Sequence, residues 1–505
     1  MRTPRERLGS NIFSSWVATA ASAIIAFFMS PFLVHTLGKE QYGIWALALS
    51  IISYTALINA GMNQTLSRYA PKYYASGDDF NLNQVVNSIF LIFSISGLLV
   101  LAVSAVVAFL LIDFFNIEPR YLDISRHVIL LVGLNQAISF FYVVPSALGP
   151  FHRYALTNAV EIGRNIIGAA VTVYFLMTGH GLLALATITV VMTLLSSQIR
   201  TMIRSRLIPQ IRYSIKYITR LRIAEMLNYG GISFLIMTAY LVIFNTDNIV
   251  IGLYLSTTAV TFYSIAGSLM GYIRVIAHAV SIPLVPLVSH LDSTADMDEI
   301  KKLFYSTARQ LYYIYAAIGV SILVLGDSFI YLWMGNEFGS TVTVLWILIV
   351  PTCVCLPLST ASSVLLGIGK HKKLFYLLAV EAVSNIVLSI ILVQRWGIYG
   401  VAWGTAIPQI VIYVLVYPIM FHRIIESDVK IFYNDIGRVV LLSVLTALPP
   451  ALLLDRFVAV DGWPGLLIKS AGVVIAVMTV FWWKLMNQQQ RERLLKRFAR
   501  GQANR

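Results

Sequence analysis

Six ionisable side chains stand where a 505-residue chain can least easily accommodate them, inside long apolar runs. Arg274 lies near the middle of the run at 258–287 and Asp247 within 226–254. Glu161 and Arg164 sit in 157–178, Glu381 in 374–394 and Arg309 towards one end of 303–333. A charged side chain at the centre of a bilayer costs roughly 2.5–3.5 kcal/mol on insertion scales, so each should face a cavity or a partner. An arginine in such a place can grip phosphate or carboxylate oxygens with two parallel N–H donors. An acid there can carry a proton or a cation, or serve as a hydrogen-bonded structural group. For Arg274 both readings stand: contact with an anionic substrate, with Tyr272 and His278 on its face, or a structural pair with an acid such as Asp247. Glu161 and Arg164 are three residues apart on one helix face and are expected to pair with each other. Glu381 has Ser384 at the matching position, which makes it the stronger coupling candidate of the two glutamates. Arg309 either attracts an anionic group or extends to the interface. Tyr312, Tyr313 and Tyr315 suggest sugar stacking, but packing is the expected role.

The elements that must hold these residues follow from the apolar runs. Hydrophobic residues make up 58% of the chain and charged residues 12%, too few charges to cover a soluble surface of this size. A helix needs about 20 apolar residues to cross a bilayer. Runs of that kind lie near 11–35, 43–66, 84–112, 124–147, 157–178, 181–203, 226–254, 258–287, 303–333, 341–367, 374–394, 398–421, 437–454 and 465–485. The first is too long for the core of a signal peptide and reads as a span. The expected fold is an all-α polytopic membrane protein of about fourteen transmembrane helices.

The net charge of +14 would suggest nucleic acid in a soluble protein, but here the basic residues mark orientation. Of 37 Lys and Arg, 28 fall in the two ends and the even-numbered connections, four in the odd-numbered connections and five in or beside spans. That places both termini in the cytoplasm. No Gly-rich nucleotide loop, zinc spacing or RNA-binding motif occurs, so no cofactor, metal or nucleic-acid partner is expected. Cys353 and Cys355, two apart in an apolar run, read as small core residues. The basic segment 204–225 carries Leu207, Ile208, Ile211, Ile215 and Ile218, and reads as an amphipathic linker on the anionic leaflet.

An offset of 218 residues, with two inserted, aligns the halves of the chain. Leu37-Gly38 falls on Leu255-Ser256, Tyr54 on Tyr272, Leu148-Gly149 on Leu366-Gly367, and Glu161-Ile-Gly-Arg-Asn165 on Glu381-Ala-Val-Ser-Asn385. Six helices per copy keep the copies parallel, an arrangement many secondary transporters use. The expected organisation is a six-helix lobe at 1–203, the linker at 204–225, a second lobe at 226–421, two further spans in 422–485 and a basic tail at 486–505.

Leu37-Gly-Lys-Glu-Gln-Tyr-Gly-Ile-Trp-Ala46, with Asn59-Ala-Gly-Met-Asn63 and Arg68, resembles the start of bacterial polysaccharide-biosynthesis flippases. Asp247-Asn-Ile-Val-Ile-Gly252 and Thr261-Phe-Tyr-Ser-Ile-Ala266 resemble them too. These belong to the polysaccharide-transporter branch of the multidrug/oligosaccharidyl-lipid/polysaccharide transporter superfamily. The resemblance implies two lobes around a cavity that opens alternately to the two sides. It implies a polyprenyl-diphosphate-linked saccharide as cargo, moved from the cytoplasmic to the periplasmic leaflet of a bacterial inner membrane. It also implies contact with membrane lipids and with other polysaccharide assembly proteins. On that reading Arg274, Arg309 and Arg164 contact the diphosphate, and Asp247, Glu381 and Glu161 are coupling or structural acids. A multidrug cation exporter of the same superfamily would need a cation-attracting acid, and the first span has none. A membrane polymerase or ligase would use a large external loop. The connections here are short, and Asp113, Glu118 and Asp123 read as a solvated turn rather than a catalytic cluster.

Overall fold

The computed structural model describes residues 4–59, 62–151, 153–219, 223, 231–281, 283–458, 460, 462–486 and 491. Arg2, Arg220, Arg222, the Ala60-Gly61 pair and nearly all of the basic tail therefore lie outside the described residues. Among the described residues every regular element is helical.

The first part of the chain contains α1 (Pro4–Leu37), α2 (Lys39–Ser53), α3 (Met62–Ala75), α4 (Asp79–Val106), α5 (Leu122–Tyr142), α6 (Tyr154–Met177), α7 (Gly181–Leu207) and α8 (Gly231–Tyr254). Then come α9 (Thr257–Ser281), α10 (Leu284–Ser293), α11 (Met297–Met334), α12 (Gly339–Cys355), α13 (Ser359–Gly367), α14 (His371–Val411), α15 (Tyr417–Ile424), α16 (Val429–Phe457) and α17 (Gly462–Val480). Several starts are set by aspartates that accept a free amide of the first turn. Asp78 caps α4 through the Asn81 amide at 3.0 Å, Asp296 caps α11 through Glu299 at 3.0 Å, and Asp428 caps α16 through Lys430 at 2.8 Å.

Twelve continuous helical segments among the described residues are long and apolar enough to span a membrane. One of them, His371–Ile424, has 54 residues and would measure about 80 Å if straight, against a hydrocarbon core of about 30 Å. It turns back at Gly397, whose φ of 57° and ψ of −135° suit a residue without Cβ. That segment is therefore two crossings. A further crossing is made by α2 and α3, broken by a 3₁₀ turn at Tyr54–Asn59 and so too interrupted to appear among the twelve. The protein is an all-α multi-pass membrane protein, and its described residues make fourteen crossings at the positions the apolar runs indicate. The second is longer than expected, ending at Ala75 rather than near 66.

The chain divides into two compact units, Met1–Ser264 and Ile265–Arg505. The division falls inside α9, beyond the 204–225 linker, because α8 packs on α2 within the first unit. In that unit α4 packs on α5, α5 on α7, and α1 and α7 on α6. In the second, α11 is the central helix, flanked by α12, α16 and α17, with α14 against α12.

The described part of the linker combines a helix end, a non-helical stretch and a short turn. Helix α7 runs on to Leu207, and residues 208–214 then follow without helical structure before a 3₁₀ turn at Ile215–Tyr217. Ile208 and Ile211 are buried in a core with Leu66, Val86, Ile89 and Ala137, while Ile215 is 86% exposed. Two asparagines one turn apart on α4 hold the backbone. Asn83 donates to the Gln210 carbonyl (3.0 Å) and accepts from the Arg212 amide (2.6 Å). Asn87 donates to the Arg212 carbonyl (2.8 Å) and accepts from the Ser214 amide (2.9 Å). Each carboxamide thus pairs with the chain as a neighbouring peptide group would. Arg204, only 3% exposed, donates to the Pro145 carbonyl (2.9 Å) and to the Tyr213 hydroxyl (3.0 Å). A residue counted with the loop cations in sequence is thus a buried tie by contact.

Candidate functional site

Parts of the stretches that carried the family resemblance, in α2, α8 and the start of α9, come together in the first unit. Gly43 of α2 lies against the start of α9, so close that a Cβ there would sit 1.8 Å from the Thr257 carbonyl oxygen. Around it Thr261 donates to the Lys39 carbonyl, and Thr258 donates to Glu40 at 3.0 Å. A polar seam continues along α8: Asn248 donates to Ser50 (2.9 Å), the hydroxyls of Thr246 and Tyr54 share a hydrogen bond, and Tyr263 donates to Asp247. Asp247 is therefore a buried acid held by a hydroxyl between helices.

Glu161 and Arg164 form the ion pair that their spacing implies, and Arg200 of α7 approaches the same carboxylate at 3.9 Å. Asn165 donates to Ser22 of α1 at 2.8 Å. Ser22, Glu161, Arg164 and Asn165 line a cleft of about 460 Å³ between α1, α6 and α7, with Thr172 and Thr189 as further polar groups. Arg164 is only partly exposed to that cleft and shares its charge with a neighbour. Arg309, in the second unit, is half-exposed and pairs with Asp435 of α16 at 3.2 Å. It also donates to the Tyr305 carbonyl one turn back.

Arg274 lies two-thirds of the way along α9, in the second unit, and is partly buried. Next to it the Ile273 carbonyl accepts from the Tyr315 hydroxyl at 2.9 Å, and Ile273, Cys353 and Cys355 pack on a core of Ala277, Leu311, Tyr315 and Leu356. Cys355 lies close enough to both Arg274 and Glu381 to feel the two charges. Both cysteines are free thiols. Three tyrosines of α11 tie it to neighbouring helices: Tyr312 donates to the Val354 carbonyl (3.3 Å) and Tyr313 to that of Val477 (3.0 Å), as Tyr315 does to Ile273.

Glu381 is 2% exposed and heads a polar ladder that sequence reading found only in part. Glu381, Asn385 and Ser389 follow one another at four-residue spacing on the first arm of the α14 hairpin. The return arm presents Thr405 and Gln409, with Tyr413 one turn further in the π turn that follows. Asn385 donates to Thr405 at 2.8 Å, and Gln409 and Tyr413 are hydrogen-bonding partners of the Glu381 carboxyl. Gly404 permits the close approach, since a Cβ there would lie 2.5 Å from the Ser389 amide nitrogen. Three buried oxygens of the first arm, Glu381 Oε2, Asn385 Oδ1 and Ser389 Oγ, have no hydrogen-bond partner among the described residues. Buried polar atoms are normally paired, which sets these three apart from the rest of the hairpin. Asn385 was legible as part of the repeated motif. The return-arm residues were not, because only the turn at Gly397 sets them opposite.

The short acidic turn is solvent-exposed, as read from the sequence, and its acids are ion-paired. Asp113 and Asp123 each pair with Arg126 at 3.2 Å, and Glu118 pairs with Arg120 at 2.6 Å.

Comparison with known proteins gives the family. A curated relative, "Uncharacterized membrane protein EpsK" of Bacillus subtilis (strain 168), is 21% identical over 494 residues, covering 97% of each chain. Another, "Uncharacterized membrane protein MJ1375" of Methanocaldococcus jannaschii, is 24% identical over 427 residues, 81% of this chain and 94% of that one. Among solved structures, "Lipid II flippase MurJ, inward closed conformation" shares the fold with a TM-score of 0.74 at 17% identity, covering 94% of this chain and 99% of the other. An inward-facing multidrug resistance transporter of the MATE family shares it with a TM-score of 0.67 at 14% identity, covering 80% and 94%. The model of the family described as "Polysaccharide biosynthesis protein" matches residues 32–343, well over half of the chain, so this multi-pass membrane protein belongs to that polysaccharide-biosynthesis family.

Proposed function

We propose that this protein is a flippase that moves a polyprenyl-diphosphate-linked oligosaccharide from the cytoplasmic to the periplasmic leaflet of a bacterial inner membrane. The observation that carries the reading is a partly buried arginine well inside a membrane-spanning helix, Arg274, in a chain of the polysaccharide-biosynthesis family. A guanidinium at that depth offers paired donors to a diphosphate that must cross an apolar barrier. The polyprenyl tail stays in lipid throughout, so only the head group needs a polar path. Transport proceeds by alternating access of the two halves of the chain, organised as lobes at 1–203 and 226–421, with both termini cytoplasmic. Arg164 and Arg309 assist at the head group from positions where Glu161 and Asp435 hold their side chains in place. The protein acts as a transporter and not as an enzyme, and works alongside the proteins that assemble and export the glycan.

Glu381 is the coupling group on this reading. An unpaired buried acceptor costs about 1–3 kcal/mol, and a proton or a small cation taken up at the Glu381 carboxyl would remove that cost there. Loading and unloading the ladder would then bias the hairpin between two arrangements. Asp247, held by Tyr263, and Glu161, held by two arginines, are structural acids.

The test is deletion of the gene in its host, with surface polysaccharide and the leaflet distribution of lipid-linked saccharide assayed together. Loss of surface glycan with saccharide held on the cytoplasmic leaflet is the expected result. Saccharide that still reaches the periplasmic leaflet in the deletion strain would overturn the proposal.

A further inference from the structure

A second site lies in the second unit at one end of the α14 hairpin and its continuation. There a cleft of about 470 Å³ opens between the start of α14 and the segment 415–424. Lys373 and Arg423 stand at its rim, and Leu415, Val416 and Ile419 form its apolar wall. The wall is built by a π turn at Ile412–Val416, which widens the helix by one residue before α15. Tyr433 of α16 donates to the Val414 carbonyl within that turn. Leu415 is 55% exposed and Val416 48%. Lys373 and Arg423 are both exposed, and neither forms an ion pair with an acid among the described residues. Lys370 and Lys372 flank the rim, while Asp428 is engaged in capping α16.

We infer that this cleft is a binding site for an anionic glycerophospholipid, with the phosphate between Lys373 and Arg423 and an acyl chain along Leu415, Val416 and Ile419. Two cations above an apolar wall at a helix-end interface match a lipid with a charged head and a hydrocarbon body. The cargo is a poorer match, because residues confined to the end of a hairpin serve one membrane surface, and a translocated head group must leave that surface. A resident phospholipid stays. Its place beside the return arm that carries Gln409 and Tyr413 makes it a brace for the hairpin. Naming the leaflet as cytoplasmic rests on the orientation proposed above; the site itself does not.

The test uses the full chain in nanodiscs of phosphatidylcholine, with and without phosphatidylglycerol, and counts retained phosphatidylglycerol by native mass spectrometry. The double substitution Lys373→Gln/Arg423→Gln is compared with Lys301→Gln/Lys302→Gln, which removes the same charge elsewhere. At about 1 kcal/mol per basic residue, the first pair should weaken phosphatidylglycerol binding roughly thirtyfold and the second should leave it unchanged. Equal binding in all three proteins, or equal loss in both variants, overturns the inference. So does displacement of phosphatidylglycerol by a short-chain polyprenyl diphosphate at lower concentration, which would make the cleft a cargo site. Labelling of Lys373→Cys by an impermeant maleimide in intact cells separates the two proposals. Reaction from outside would overturn the orientation and the flippase direction, while the lipid result would stand.

Discussion

Replacing Asn83 and Asn87 by alanine should release the segment that joins α7 to the rest of the chain, and the structure sets the size of the effect. The two carboxamides make four hydrogen bonds to the backbone of residues 210–214, at 2.6 to 3.0 Å, and both side chains are 2% exposed. Each such bond contributes about 1 kcal/mol net, so the double substitution removes about 4 kcal/mol of resistance to local opening. Either single substitution removes about 2 kcal/mol. Helix α4 itself should not suffer, since alanine favours a helix more than asparagine does. The segment carries Arg212 and Lys216, both sites for trypsin. When opening and closing are fast relative to cleavage, the cleavage rate follows the open population. The double variant should therefore be cut at these positions about a thousandfold faster, and each single variant about thirtyfold faster, at low protease in detergent. Ile208, Ile211 and Arg204 remain anchored, so the rest of the protein should stay folded and the new cuts should be confined to the segment. A double variant cleaved at the native rate would refute the clamp and the hydrogen-bond accounting behind it.

The remaining predictions concern the proposed transport chemistry and helix packing. Arg274→Ala should abolish leaflet transfer of the lipid-linked saccharide while preserving the folded protein. Arg274→Lys should retain only part of it, because an ammonium lacks the paired donors; full activity in the lysine variant would weaken the bidentate reading. Glu381→Gln keeps the side chain's volume and one acceptor but removes the ionisable oxygen. Transport by this variant should lose its response to an imposed proton or sodium gradient, and an undiminished response in reconstituted vesicles would exclude Glu381 from coupling. Gly43→Ala forces a Cβ into the Thr257 carbonyl and should destabilise the first unit by about 3 kcal/mol, read as a lowered unfolding temperature. Gly163→Ala, with nothing within 4 Å of the new Cβ, should be neutral or stabilising by up to about 1 kcal/mol.

Much of the architecture was legible in order along the chain. Each crossing is a local property, a run of apolar residues long enough for the bilayer, so the fourteen crossings could be placed without knowing their neighbours. The pairing of Glu161 with Arg164 was equally local, because helical spacing alone puts positions three apart on one face. Interruptions were harder. The 3₁₀ break at Tyr54–Asn59 and the π turn at Ile412–Val416 change no hydropathy, and both arise where a helix meets polar partners on another helix. The linker shows the limit most plainly. Its isoleucines have an amphipathic pattern, and Ile208 and Ile211 pack into the protein core where two asparagines distant in sequence supply the hydrogen bonds its backbone needs. The ladder beneath Glu381 has the same origin. Sequence by itself determined which residues must cross the membrane and which of them are too polar to do so alone. Only the tertiary structure decided what each polar residue meets there, because a partner across a hairpin or from another helix is set by packing, and hydropathy carries no record of it.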